Sequence, residues 1–484
     1  MKYLNIYIIL VSIGLTLNSC KKEFLNPIPD SAIVEESFYQ SDEDVLAGLI
    51  GVYDALQGVN ENTNTSLVTS NRGVQFEYML SEMRSDNSRT ATLEGTKADF
   101  HRYRVDANNV QSEDFYESMY NVIFRANNIL KFIDVADADN QTSYTAEAKF
   151  LRAFAYFKLV RLFGDVPLVT EVVGALENDL LFTRVAETQV YAQIVADLQE
   201  AIANLDNSYK SRASKAAAQG LLAKVYLTQP DRKYADAAQL CLDVAGGGFA
   251  LQDTFPDVFY NELNDEIIFA IQYELGNPLE SQSYSSEFTS AFRAGREDGH
   301  NIVNDNLRAD FDSIGGNRTA VSYTTFGNSH EVTKFLPGGS DITSNPPDYG
   351  PSPRDAGNDY IVLRYADVLL MHAEAIMAGG TETTDGAAID SYMMVRERAG
   401  FDPIADRPSV LSKEALLAER RVELAFENQR FYDLLRFGVA DAVLSAHSLE
   451  MGYSSYNARA LLLPIPAREI NLSGGLLTQN PGYN

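Results

Sequence analysis

The sequence predicts a mostly α-helical protein in which paired helices stack on one another and carry two long irregular insertions. Apolar residues recur at helical spacing over much of the chain, as at Val190, Ile194 and Leu198. Two stretches, 60–106 and 246–359, lack this spacing; the first is rich in Asn, Thr, Ser and Arg, and the second is rich in Gly, Pro, Asn and Ser. With 484 residues, of which 45% are hydrophobic, the chain can bury a large core.

Charge and cysteine content exclude some functional classes. The chain has 39 basic and 67 acidic side chains, a net charge of -28, so it lacks the cationic surplus of a nucleic-acid-binding protein. Only Cys20 and Cys241 are present, and two cysteines cannot build a disulfide framework. We interpret Cys241, in an apolar helical segment, as a small buried hydrophobic residue.

The first residues predict an export signal and an anchor. Lys2 precedes an almost uninterrupted apolar run, 4–17, which is shorter than the roughly 18 residues of a membrane-spanning helix. The run ends in Leu-Asn-Ser-Cys, which resembles a bacterial lipobox. We therefore expect a signal peptide at 1–19, lipidation of Cys20 and a tether at 20–30, where prolines oppose regular structure.

Helical hairpins follow in the body. A segment dense in Ala and Leu, 214–226, is separated by a turn at 229–231 from a second amphipathic segment, 234–245. Such a hairpin cannot bury its apolar face alone, so we expect it to stack with neighbours as in tetratricopeptide arrays. Similar spacing predicts further helices at 145–163, 360–378, 387–399 and 413–437.

No catalytic or cofactor motif is present. The five histidines are dispersed, and the sequence contains no His-Glu-x-x-His, phosphate loop or dinucleotide fingerprint. The acidic cluster around Asp134, Asp137 and Asp139 lacks the glycine and terminal glutamate of a calcium loop, so we interpret it as solvated. We expect no enzyme, metal or cofactor, although a glycosidase with two paired carboxylates stays open.

The segment 419–427, followed by Arg430, Asp433 and Arg436, is the most densely charged part of the chain. If this segment were catalytic, Glu423 and Arg430 would be the candidate catalytic residues. We favour a structural interpretation, in which opposite charges three and four residues apart support one long helix, 413–437.

Several segments in consistent order resemble the SusD/RagB lipoproteins of Bacteroidetes outer membranes. They are CKKEFL at 20–25, RANNIL at 125–130, AEAKFLRAF at 146–154, LFGDVPLV at 162–169, LRYADVLL at 363–370, VRERAG at 395–400, LPIP at 463–466 and TQNPGY at 478–483. The resemblance implies a SusD-like helical scaffold with tetratricopeptide-like helix pairs. It also implies a single body at 31–484, with an N-terminal region of about 31–230 and a C-terminal region of about 265–484.

The same resemblance implies a function. SusD-like proteins are non-enzymatic, surface-exposed and lipid-anchored in the outer membrane. They bind glycans and deliver them, as a lid, to a SusC-like TonB-dependent transporter. A peptide or other nutrient as the ligand, a surface glycosidase and a purely structural adaptor are the alternatives.

The matched motifs belong to the scaffold, so we choose ligand residues from chemistry within the two insertions. Arginine and asparagine would donate to hydroxyl groups, aspartate would accept from them, and aromatic rings would stack on sugar faces. The predicted ligand residues are Arg72, Tyr78, Arg84, Asp86 and Asn87 in the first insertion and Tyr284, Arg296, Tyr323 and Phe326 in the second. The absence of Trp argues against a large stacking platform.

Overall fold

The computed structural model describes residues 38–60, 71–174, 178–289, 299–336, 341, 343–344, 348 and 354–483. The predictions for the signal peptide, Cys20 and the tether lie outside these residues, as does Arg296.

Helices dominate the described residues, as predicted. In chain order the α-helices are α1 (Asp42–Gln57), α2 (Glu77–Leu80), α3 (Ala98–His101), α4 (Val110–Lys131), α5 (Ala138–Phe163), α6 (Asn178–Phe182), α7 (Glu187–Asn204), α8 (Lys215–Thr228), α9 (Tyr234–Ala245), α10 (Asp257–Tyr260), α11 (Tyr284–Glu287), α12 (Asp305–Ile314), α13 (Thr319–Ser322), α14 (Tyr365–Met377), α15 (Gly386–Arg398), α16 (Lys413–Glu423), α17 (Arg430–Arg436), α18 (Ala440–Glu450) and α19 (Ala467–Leu472). Short 3-10 helices lie at Gly73–Phe76, Ile133–Val135, Gly316–Arg318 and Ala458–Leu461.

The strands are short and pair only in twos within the described residues. They are β1 (Ser88–Arg89), β2 (Val166–Pro167), β3 (Arg184–Val185), β4 (Ile267–Ile271), β5 (Ile302–Val303), β6 (Tyr323–Phe326), β7 (Ser329–Val332), β8 (Tyr360–Arg364), β9 (Glu382–Thr383) and β10 (Leu411–Ser412). The antiparallel pairs are β1 with β5, β2 with β3, β4 with β8, β6 with β7, and β9 with β10.

The long helices form one continuous array. Each packs on the next in the order α1, α4, α5, α7, α8, α9, α14 and α15. Because α9 packs directly on α14, the array continues across the second irregular region. Nothing among the described helices is both long and apolar enough to cross a membrane.

The hairpin of α8 and α9 follows the sequence prediction closely. The Ser214 side chain caps α8 by accepting a hydrogen bond from the backbone N–H of Ala217 at 3.1 Å. Helix α9 has the predicted bounds, and Cys241 is buried within it, as expected. At Gly220 a Cβ would lie 2.3 Å from Leu363 Cδ2, so only glycine lets α8 approach β8 this closely.

Two helix predictions were wrong in part. The first five residues of the predicted helix at 360–378 form β8, because they pair with β4. The predicted helix at 413–437 is two helices: α16 ends at Glu423 and α17 begins at Arg430. Between them Phe426 and Asn428 have φ of 67° and 61°, a left-handed conformation that interrupts a right-handed helix.

Candidate functional site

The described part of the first insertion is mostly buried rather than a solvated loop. Arg84 donates to the carbonyl oxygen of Ala460 at 2.6 Å and stacks 4.2 Å above the Phe431 ring. Burial lowers the pKa of Arg84 to about 10, so this arginine stays charged at neutral pH. The Arg84 guanidinium therefore packs against residues near the C-terminus, Phe431 and Ala460.

Asp86 and Asn87 form part of a buried ion-pair cluster. Arg430 donates to both carboxylate oxygens of Asp86, at 2.8 and 2.9 Å, and Arg421 lies 3.0 Å away. Burial alone would raise the pKa of Asp86, but Arg430 and then Arg421 outweigh it and hold the pKa well below its ordinary value. Asn87 accepts from Arg421 Nε at 2.8 Å and donates to Glu82 at 2.7 Å.

Arg72 is also buried, with 3% of its surface exposed. Its backbone N–H donates to Asp114 at 2.8 Å, and its guanidinium donates to the Val59 carbonyl and to Gln75. The prediction that Arg72, Arg84, Asp86 and Asn87 bind a ligand stays a prediction, and their internal partners favour structural roles.

Tyr78 and Tyr284 line one small cavity, with Phe288, Phe335 and Tyr360 around it. Its volume is about 20 Å³, which suits roughly one water molecule and not a sugar ring. The Tyr78 hydroxyl donates to Glu287 at 3.1 Å, and the Tyr284 hydroxyl donates to the Asn358 carbonyl at 3.3 Å. The two tyrosines therefore meet in the protein interior.

Tyr323 and Phe326 stand on the β6–β7 hairpin, which reaches the surface. Its two-residue turn begins at Gly327, whose φ of 58° suits a tight hairpin turn. Side chains alternate across a strand, so Tyr323 and Thr325 share one face while Phe326 lies on the other. His330 is paired with Thr325 on the Tyr323 face. The structure thus separates the two predicted rings.

Polar side chains from three elements surround Tyr323. Arg308 of α12 donates to Asp305 and is hydrogen-bonded to the His330 ring, each at 2.9 Å. Burial lowers the pKa of Arg308, but its interactions with Tyr323 and Asp305 outweigh this effect and raise the pKa above its ordinary value.

His330 is held neutral near physiological pH. Burial lowers its pKa, and the charges of Arg308 and of Arg89 in β1 lower it further, although Asp305 opposes them. Its Nδ1 lies 3.0 Å from the Thr325 hydroxyl. We call Arg89, Arg308, Tyr323, Thr325 and His330 the hairpin surface.

The hairpin surface offers the chemistry that a polyhydroxylated ligand needs. A half-buried tyrosine ring can stack, two arginines can donate, and the Tyr323 and Thr325 hydroxyl groups can donate or accept. Sequence reasoning missed Arg89, Arg308 and His330. Arg89 is more than 200 positions from the hairpin, and the contact of Arg308 with His330 depends on how α12 packs beside the hairpin, which residue spacing does not indicate. The described residues contain no group of His, Cys, Asp and Glu that could hold a metal ion.

Comparisons with known proteins cover nearly the whole chain. A model described as the SusD family matches residues 320–483, and one described as "Starch-binding associating with outer membrane" matches residues 23–227. SusD-like protein P2 of Formosa agariphila is 29% identical and aligns over 100% of both chains. A SusD-like protein of Bacteroides ovatus is 26% identical over 88% of this chain and 81% of its own.

Solved structures have the same fold. A laminarin binding SusD-like protein has a TM-score of 0.74 and 26% identity, covering 92% of this chain and 100% of that one. A SusD superfamily protein from Bacteroides vulgatus has a TM-score of 0.75 at 22% identity, with coverage of 92% and 100%. With matches to both halves and to the fold as a whole, the chain belongs to the SusD/RagB family.

Proposed function

We propose that this protein binds oligosaccharides or polysaccharides at the cell surface without cleaving them, and that the hairpin surface contacts the ligand. The observation that carries the proposal is the convergence of Arg308, Tyr323 and His330 at a half-buried site, where Arg308 is hydrogen-bonded to His330 and the Tyr323 and His330 rings are in contact. Membership of the SusD/RagB family supports a glycan ligand, as does the 26% identity to a laminarin binding SusD-like protein.

The geometry suits reversible capture. Tyr323 presents a ring to a sugar face, the arginines donate to hydroxyl groups, and the Thr325 hydroxyl can donate to or accept from one, while the neutral His330 ring orients Arg308 and Thr325. Such a shallow surface binds modestly because it excludes little water, and this suits a protein that must release its ligand to a transporter. We propose that the recipient is a SusC-like TonB-dependent transporter and that the protein covers it as a lid.

We also propose that lipidated Cys20 holds the protein at the outer membrane. The Leu-Asn-Ser-Cys motif and the outer-membrane description of the matching family model support this location. A net charge of -28 would be repelled by anionic head groups, so a covalent anchor suits this chain better than electrostatic adsorption.

Replacing Tyr323 with Ala should weaken binding of a laminarin oligosaccharide about fivefold, because stacking by one aromatic ring contributes about 1 kcal/mol. Isothermal titration calorimetry on the purified protein measures the change. The control is Tyr209→Ala, which removes another exposed tyrosine, 53% exposed, from outside the hairpin surface.

Equal losses of affinity in the Tyr323 and Tyr209 variants would argue against the hairpin surface as the ligand-binding site. No binding of laminarin oligosaccharides or other glycans by the unaltered protein would contradict the glycan proposal itself. Steady appearance of new reducing ends during incubation would instead identify a glycosidase.

Replacing Cys20 with Ala should move the protein from the membrane fraction to the soluble fraction, because the acyl chains can no longer be attached. Fractionation of cells expressing the full chain tests this. Cys241→Ala is the matched control, since this thiol is buried and should leave retention unchanged. Membrane retention of the Cys20 variant would refute acyl anchoring.

A further inference from the structure

A cleft of about 270 Å³ opens on the helical array, at residues outside the hairpin surface. Its walls come from α5, α7, α17, the α8–α9 connection and the 3-10 helix Ala458–Leu461. We call it the cationic cleft and define it by Arg161, Glu187, Tyr191, Arg232 and Leu461. It is far larger than the cavity between Tyr78 and Tyr284, and none of the eight predicted ligand residues that the structure describes lines it.

Arg161 is fixed in place but has no carboxylate partner. Its guanidinium lies between the rings of Phe157 and Tyr432, with centroid distances of 3.9 and 3.7 Å. Its Nε donates to the Phe157 carbonyl at 3.0 Å, and 9% of the residue is exposed. Across the described part of the chain, no ion pair joins Arg161 to an acid.

The charge of Arg161 is not neutralised by its buried neighbour Glu77. Arg161 contributes to lowering the pKa of Glu77 against the opposing effect of burial, but Lys158 contributes more. Both carboxylate oxygens of Glu77 accept from Lys158 Nζ at 2.7 Å. The three groups together therefore carry one net positive charge.

Arg232 supplies a second guanidinium to the cleft. It donates to the Arg436 carbonyl at 2.6 Å and to the Tyr234 hydroxyl at 3.3 Å, and within the described ranges it too makes no ion pair. Arg436, which also lines the cleft, is instead paired with Glu374 and Asp433, at 2.8 Å each. The chain has 28 more acidic than basic side chains. Two arginines that line the same cleft and make no ion pair among the described residues are therefore unusual.

The remaining walls suit a sugar ring. Leu461 and the Tyr191 ring are apolar, and Glu187 is a half-buried acceptor at the edge. Burial raises the pKa of Glu187, and the nearby charge of Asp165 raises it further. A ligand here would meet donors on one side, an acceptor on the other and apolar surface between them.

We propose that the cationic cleft binds a sugar unit carrying a carboxylate, that is, a uronic acid. Arg161 and Arg232 donate to the carboxylate, and Glu187 accepts from a hydroxyl group. A planar guanidinium matches the two oxygens of a carboxylate, and stacking between two rings holds Arg161 ready for that contact. The site is separate from the hairpin surface, so it does not depend on laminarin binding.

Calorimetric titration with D-glucuronate and D-glucose tests the proposal, because these sugars differ only at C6. We expect D-glucuronate to bind at least about tenfold more tightly, since charge-assisted hydrogen bonds are stronger than neutral ones. We also expect added salt to weaken it. Arg232→Gln should lower the affinity for D-glucuronate about tenfold and leave the affinity for D-glucose unchanged.

Arg407→Gln is the matched control, because Arg407 is paired with Asp390 on the surface and the same charge is removed there. Arg161→Gln should also lower the affinity for D-glucuronate. Because Arg161 packs between two rings, its replacement also alters packing, so the test of the proposal is the Arg232 variant. Equal affinity for the two sugars, undetectable D-glucuronate binding, or an Arg232 variant that binds it normally would overturn the proposal. The same variants should bind laminarin oligosaccharides normally. Failure of the uronic acid proposal would therefore be distinguishable from failure of the proposal that the hairpin surface binds glycans.

Discussion

Replacing Glu423 with Ala should lower the free energy of unfolding by about 3–5 kcal/mol, because removing one partner from a buried ion-pair network leaves charges uncompensated. Glu423 is fully buried at the end of α16. Its carboxylate contacts three arginines, Arg318, Arg364 and Arg398. The loss would leave buried guanidinium groups with too few acceptors.

The network around Glu423 joins distant parts of the chain. Arg364, at the end of β8, also pairs with Glu266 at 2.8 Å and with Glu427 at 2.7 Å. Arg318 also contacts Glu419 of α16. One carboxylate therefore helps to hold α16 against β8, α15 and the 3-10 helix Gly316–Arg318.

Chemical denaturation monitored by circular dichroism would measure the loss. Asp390→Ala is the control, because Asp390 pairs with Arg407 at the surface, where the two side chains are 64% and 38% exposed. Such an exposed pair contributes under about 1 kcal/mol. A Glu423 variant no less stable than the Asp390 variant would refute the role of the network.

A second variant, Glu423→Gln, should change the acid sensitivity of the fold. Burial alone would raise the pKa of Glu423, but Arg398, Arg364 and Arg318 outweigh it and keep the pKa well below the ordinary value. A depressed pKa adds stability above the unfolded-state pKa of about 4.3, and this stability is lost as the pH falls. The stability difference between the unaltered protein and Glu423→Gln should therefore shrink on acidification below about pH 4.

The charged segment shows what a single sequence could and could not predict. Charges three and four residues apart in 419–427 indicated a helix, and α16 is one. Helical spacing could not indicate that the helix stops at Glu423, or that its charges pair with Arg318 and Arg364 rather than along its own surface. The partners are 105 and 59 positions away, so the sequence spacing contained no sign of them.

Contacts between distant parts of the chain also explain why the predicted ligand residues of the first insertion are buried. The Asn, Thr, Ser and Arg content of the first insertion indicated irregular backbone, but composition does not distinguish a solvated loop from a buried one. Asp86 is buried because Arg430, 344 positions later, neutralises it. The array of helices was predictable because it depends on local periodicity, whereas the hairpin surface depends on the packing of α12 against the β6–β7 hairpin.

Replacing Gly73 with Ala should destabilise the protein by about 2–4 kcal/mol, combining left-handed backbone strain of about 1 kcal/mol with steric overlap of about 1–3 kcal/mol. Gly73 has φ of 55°, and a Cβ there would lie 2.1 Å from the Leu56 carbonyl oxygen. Gly58 faces it, since a Cβ on Gly58 would lie 2.1 Å from the Arg72 carbonyl carbon. The end of α1 and the first insertion therefore cross backbone to backbone.

Gly327→Ala is a closely matched control for Gly73→Ala. Gly327 has nearly the same φ, 58°, but no atom lies within 4 Å of the position of its Cβ. The control should lose only the strain component, about 1 kcal/mol, when both variants are compared by thermal or chemical denaturation. Equal destabilisation would mean that α1 and the insertion can separate at little cost. A clearly larger loss at Gly73 would show that this crossing is rigid, because neither backbone could move aside to make room for a methyl group.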